Sequence, residues 1–188
     1  MPSKKATSTQ VYQIKVTLEE ISPAIWRRLQ VTSDTTLFDL HGILQVVMGW
    51  TDSHLHEFDL AGTLYGDAED SEGEVLDEKP ITLEQLIIAE GEKFQYLYDL
   101  GDGWKHEILV EKVLTLDPGT TYPVCIAGDR ACPPEDCGGV SGYEELLTIL
   151  GDSSHDEHED KFHWLPGDFD SEKLDIESVN KELRDFQR

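Results

Sequence analysis

Positive charge is what this chain has least of. Its 188 residues carry 15 Lys and Arg against 39 Asp and Glu, a formal net charge of −24. Such a field repels phosphate backbones and anionic lipid. No basic stripe reverses it locally, because Arg27-Arg28 is the only adjacent arginine pair and lies inside a strand pattern. Direct nucleic-acid binding and membrane binding are therefore not expected. Cysteine is scarce as well. Cys125, Cys132 and Cys137 make an odd count without a secretory leader, which favours free thiols over a disulfide framework. Long apolar runs are missing, and nothing approaches the ~20 residues that cross a bilayer. The first ten residues hold two lysines and no apolar segment, so residues 1–10 are expected to form a disordered tail and 11–188 one domain. The expected location is cytoplasmic. Gly-x-Ser-x-Gly, P-loop and dinucleotide fingerprints are all absent.

Three readings of the acidity remain open: a solvated surface, adaptation to high internal salt, or binding of cations or a basic partner. The second sits poorly with a chain in which lysine outnumbers arginine.

The densest structural signal is Phe94-Gln-Tyr-Leu-Tyr-Asp-Leu-Gly-Asp-Gly-Trp-Lys-His-Glu-Ile-Leu-Val110. It reads as two strands around a Gly-rich turn. A three-residue loop of Gly101, Asp102 and Gly103 pairs Leu100 with Trp104, Tyr98 with His106, Tyr96 with Ile108 and Phe94 with Val110. That register gathers the apolar bulk on one face and sets Asp99 opposite Lys105 on the other. Such a loop needs a left-handed residue, which Gly103 supplies without strain.

Along the rest of the chain, alternation predicts strands at Val11–Leu18, Ile25–Val31, His54–Leu60 and Thr63–Tyr65, with Tyr65 opposite Phe58 across an Ala61-Gly62 turn. A further strand is expected at Tyr122–Ile126. Leu37, Leu40, Ile43, Leu44, Val47 and Met48 recur at helical spacing between a cap at Asp34 or Thr35 and Gly49. Capping boxes open helices at Thr82 and Ser141, and a last helix runs from Asp175 to Phe186. The acidic stretch Gly66–Glu78 reads as a mobile loop. Hairpins with helices between and after them predict an α+β fold, a single domain whose antiparallel sheet is covered on one face.

Several motifs recur together in order: Pro23-Ala-Ile-Trp-Arg-Arg-Leu29, Met48-Gly-Trp50, His54-Leu-His-Glu-Phe58, Tyr98-Asp-Leu-Gly-Asp-Gly-Trp-Lys-His106, Cys132-Pro-Pro-Glu-Asp-Cys-Gly-Gly139 and Gly142-Tyr143. By these the chain resembles the plasmid pRiA4b ORF-3-like family from about Tyr12 to Phe186. Some members are labelled transposon resolvase-like. A serine resolvase needs a nucleophilic serine, an arginine cluster and a basic DNA-binding segment, and this chain has none of that set. The resemblance implies a compact domain without an established biochemical activity.

Chemistry-bearing residues concentrate in the same motifs. His54 and His56 share one face of a strand, ~7 Å apart by strand rise. With His106 they would form a three-imidazole site for a divalent metal such as zinc. Cys132 and Asp136 are further candidates, with Asp99, Asp102, Glu135 and Trp104 as supporting groups. The alternative is that these histidines are hydrogen-bonded walls of an aromatic core. Two functional classes follow. The first is a non-enzymatic binding module that takes a protein or small ligand on an aromatic, His-bearing face. The second is a metal-dependent or thiol enzyme, hydrolase-like, built on His54, His56, His106 and Cys132.

Overall fold

Alternating apolar residues build most of the molecule. The computed structural model describes residues 9–68, 75–87, 89–165, 167 and 169–186. Strands β1 (Gln10–Leu18), β2 (Trp26–Thr32), β3 (His56–Leu60), β4 (Thr63–Gly66), β5 (Leu76–Asp77), β6 (Lys93–Tyr98), β7 (Trp104–Thr115) and β8 (Val124–Asp129) form one sheet in the order β5-β4-β3-β6-β7-β1-β2-β8. All neighbours pair antiparallel except β4 and β5. Helices α1 (Leu37–Met48), α2 (Leu83–Leu86), α3 (Gly139–Gly151), α4 (His158–Trp164) and α5 (Ile176–Phe186) complete a single α+β domain. None of these helices is long and apolar enough to cross a membrane. Most of the expected N-terminal tail lies outside the described residues, and Gln10 already belongs to β1.

The sheet has one dry face. Phe94, Ile108, Val16 and Arg27 follow one another across β6, β7, β1 and β2, Phe58 pairs with Tyr96 across β3 and β6, and all are buried. α1 lies on this face: Arg27 Nε donates to Val47 O, and Gln45 and His41 meet the Tyr96 hydroxyl. The other face carries Lys15 and Arg28, both stacked over Trp26, and the Arg28–Glu111 ion pair.

The central hairpin keeps the expected faces but not the expected register. Tyr98 pairs with Trp104, Tyr96 with His106 and Phe94 with Ile108. The slip is two residues, so side-chain parity is preserved. Its cause is Asp99. That residue turns left-handed (φ 56°), its carbonyl accepts from Gly103 N–H, and its Oδ1 accepts from Gly101 and Asp102 N–H. The loop therefore spans Asp99 to Gly103. Leu100 is pushed out to its exposed tip, and Asp99 turns inward instead of facing Lys105. Gly103 does hold the positive φ, at 73°. Gly103→Val should cost about 1 to 3 kcal/mol, the strain of a β-branched residue in that region. Gly101→Ala should cost less, since its new Cβ meets only Asp99 Oδ1, at 3.2 Å. Urea midpoints of the two variants would check the ranking.

Three other expectations move. The cap of α1 is Thr36, whose hydroxyl accepts from Asp39 N–H, and neither Asp34 nor Thr35 fills that role. α3 starts at Gly139, two residues before the Ser141 box. Backbone contact decides this: Gly138 N–H donates to Asp102, and a Cβ on Gly139 or Gly142 would run into the Asp102 or Cys137 carbonyl. The stretch read as a mobile loop returns to the sheet as β5, with Glu78 buried behind it. Residues 69–74 of it lie outside the described part. The Phe58–Tyr65 pair stands as expected.

Candidate functional site

β3 starts at the edge of α1, and this places two histidines of separate origin face to face. His41, on the buried side of α1, stacks on His56 with centroids 3.4 Å apart and planes 3° from parallel. Each ring has its own carboxylate. His41 Nε2 lies 2.8 Å from Asp52 Oδ1, and His56 Nε2 lies 2.9 Å from Glu78 Oε2.

A hydrogen-bonded chain fixes His41. Gln45 Nε2 donates to the Tyr96 hydroxyl, 3.0 Å away, and that hydroxyl lies 2.8 Å from His41 Nδ1. Burial holds the Tyr96 proton in place by raising its pKa well above the usual value, so the hydroxyl donates to Nδ1. A neutral His41 then carries its proton on Nε2 and gives it to Asp52. Burial first, and then the adjacent His56, lower the His41 pKa, while Asp52 opposes them. Gln45 Oε1 closes the network by accepting from Asp52 N–H.

A second group stands beside the first. His54 Nε2 lies 3.0 Å from Asp136 Oδ1 and 3.7 Å from Asp99 Oδ2. Asp136 is not angled to take a hydrogen bond from that buried nitrogen and Asp99 is too far, so the nitrogen makes ion-pair contacts without a hydrogen bond. Asp52, Asp99 and Asp136 all have left-handed backbones, with φ of 56°, 56° and 58°. Asp tolerates that region better than most residues.

The first group and His54 of the second border one cavity of 590 Å³. His41, His54, His56, Asp52, Glu57 and Glu78 supply its polar wall, and Phe38, Leu55 and Leu100 stand exposed at its edge. Lys79 reaches Asp67 at the edge, but no Lys or Arg belongs to the described lining.

The sequence candidates divide accordingly. His54, Asp99 and Asp136 come together, while His56 joins His41 and Asp52. His106 joins neither group. It is fully buried on β7, its Nδ1 donates to Tyr96 O, and the edge of its contact with Trp50 seals it off. β6 stands between it and β3, which is why three imidazoles do not converge. Cys132 packs on Met48 and accepts from Arg27 Nη2, and burial pushes its thiol up to about 11. No histidine is among its hydrogen-bond partners in the described residues. Glu135 accepts from Tyr98 Oη and from Thr51, and these bonds outweigh its burial to leave its pKa lowered. Asp102 ties the turn to Gly138, and Trp104 stacks on Trp50 in the core. Trp50 in turn donates to Pro133 O, anchoring the loop that carries Glu135 and Asp136.

His41, Asp52 and Glu78 were not among the candidates. His41 falls on the apolar stripe of α1, next to Leu40 and Leu44 in helical position, and that placement was a readable signal of a buried imidazole. Glu78 gave no such signal inside an acidic run.

Comparison with known proteins adds ancestry. A family model described as "Plasmid pRiA4b ORF-3-like protein" matches residues 10–178. "Uncharacterized protein y4hQ" of Sinorhizobium fredii is 36% identical over 179 residues, spanning 94% of this chain and 92% of its own. A crystal structure of the protein of unknown function MM3350 from Methanosarcina mazei Go1 superposes with a TM-score of 0.84 at 42% identity. That match covers 92% of this chain and 99% of the other.

Proposed function

The chain belongs to the plasmid pRiA4b ORF-3-like family, and on that premise we propose that it is a non-enzymatic binding module whose cavity receives a positively charged group with an apolar flank. The observation that carries this is the composition of the wall. Four carboxylates (Asp52, Glu57, Asp67, Glu78) and three imidazoles face the cavity without a lining Lys or Arg in the described residues. Glu78 is 1% exposed and one of its oxygens has no donor. A buried carboxylate without a cation is unfavourable, and a ligand that brings one relieves it. Phe38, Leu55 and Leu100 offer that ligand apolar contact at the entrance.

The test uses 2-phenylethylammonium and 3-phenylpropionate, which share a ring and differ in charge. Titration followed by NMR should show the cation shifting the Leu55, His56 and Leu100 signals and the anion leaving them unmoved. Glu78→Gln should weaken the cation about tenfold, the effect of ~1.4 kcal/mol. Equal binding of both probes, or of neither, rejects the proposal.

The enzyme reading keeps one specific support, the two groups of imidazole and carboxylate that a metal-dependent hydrolase would need. Its thiol form has less. A nucleophilic Cys132 requires a lowered pKa and a neighbouring base, whereas its pKa is raised and its partners are Arg27 and Met48.

A further inference from the structure

We infer that His41, Asp52 and His56, with Glu78 beside them, form a binding site for a divalent first-row metal ion, zinc by its ligand set. This goes beyond the cavity reading and rests on the acidic wall that carries it. One nitrogen or oxygen from each of His41, Asp52 and His56 falls within 4.8 Å of the others. Glu78 Oε2 is 2.9 Å from His56 Nε2 and stands beside this set as a carboxylate able to orient that ring. Two imidazoles and a carboxylate, with a fourth position left open, are a set that zinc accepts.

An independent observation points to a ligand. Glu78 is 1% exposed, lines the cavity, and keeps Oε1 without a donor. Two carboxylates, Asp52 and Glu78, share this wall. A dication balances both carboxylates at once, which a single protonated imidazole does not.

The supporting shell is also in place. Nε2 of His41 faces the site and Nδ1 faces the Tyr96 hydroxyl. An ion bound at Nε2 would leave the ring's single proton on Nδ1, where the Tyr96 oxygen can accept its hydrogen bond. Gln45 already holds both Tyr96 and the backbone of Asp52. The stacked rings have parallel lone pairs, so metal binding must tilt them apart. His56 can move toward the open cavity, while His41 is held by α1.

The experiment is titration of the full chain, stripped with chelator, with zinc chloride in a calorimeter, backed by metal analysis after dialysis. One zinc per chain is expected. His56→Gln and Asp52→Asn should each weaken binding about 10- to 100-fold. Circular dichroism melts confirm that these variants fold. Asp52 is the safer of the two, its side chain being 61% exposed. Asp136→Asn and a His158→Gln/His163→Gln double variant should bind as wild type does. No zinc, or zinc lost with Asp136→Asn and kept by His56→Gln, overturns the inference. Absence of zinc together with binding of 2-phenylethylammonium would sink the metal site alone. Absence of both would sink the cavity reading with it.

Discussion

Replacing Arg27 by Ala is expected to lower the free energy of unfolding by about 3 to 5 kcal/mol, the range for truncating a large buried side chain and stranding its partners. Arg27 is 1% exposed, yet no carboxylate among the described residues lies within ion-pair distance of it. Carbonyl oxygens hold it. Nε donates to Val47 O at 2.8 Å, and Nη1 donates to Trp26 O at 2.9 Å and Asp129 O at 3.0 Å. Val47 lies in the last turn of α1, which has no basic residue of its own. The guanidinium thus meets the negative end of the helix dipole. Its other nitrogen reaches Cys132 Sγ, at the start of the loop that carries Glu135 and Asp136. One side chain therefore clamps the end of α1 and the loop starting at Cys132 to β2. Arg27→Lys should recover only part of the loss, because one ammonium cannot span this fan of acceptors. The measurement is the urea midpoint at unchanged slope. A loss below 1 kcal/mol in the Ala variant would mean that water or a neighbour takes over the carbonyls.

Arg27 also shows what was legible in the sequence. Its apolar parity, shared with Ile25 and Leu29, pointed inward, and it is indeed buried. Parity in general read well. The inward residues of β1, β2, β6 and β7 are those that alternation predicts, and the Phe58–Tyr65 pair follows from a two-residue turn. Register read less well, because it depends on what an aspartate does in a turn. Asp99 could form a solvent pair or take the left-handed region and cap its own loop, and the local sequence permits both. The site was half legible for the same kind of reason. His54 stands two residues ahead of His56, on a bend before β3 and not on the strand as expected, so their proximity is local. His41, Asp52 and Glu78 reach them through α1, the following loop and the return of β5, and spacing carries no record of those distances.

His106 supplies the remaining large effect, and it bears on why the three-imidazole arrangement does not form. Burial is the first cause that drives its pKa down, to about 4, and hydrogen bonds to the Tyr96 and Trp104 backbones only partly oppose it. An exposed histidine titrates near 6.5. Between those values the unfolded chain binds the proton that the folded chain refuses. Stability from this residue is therefore complete above about pH 6.5 and is lost as the pH falls toward 4, by on the order of 3 kcal/mol in total. His41, also lowered, and the Arg28-paired Glu111 add losses of the same sign on acidification, so the wild-type slope alone does not isolate His106. The difference between wild type and His106→Phe does. The variant should be less stable at pH 8, where the bond to Tyr96 O is lost, and should close part of that gap by pH 5. NMR gives the direct test. The His106 ring signals should hold still from pH 8 to pH 5. A ring that titrates near 6.5 in the folded protein would put His106 within reach of water, and would return it to the group of residues able to face the cavity.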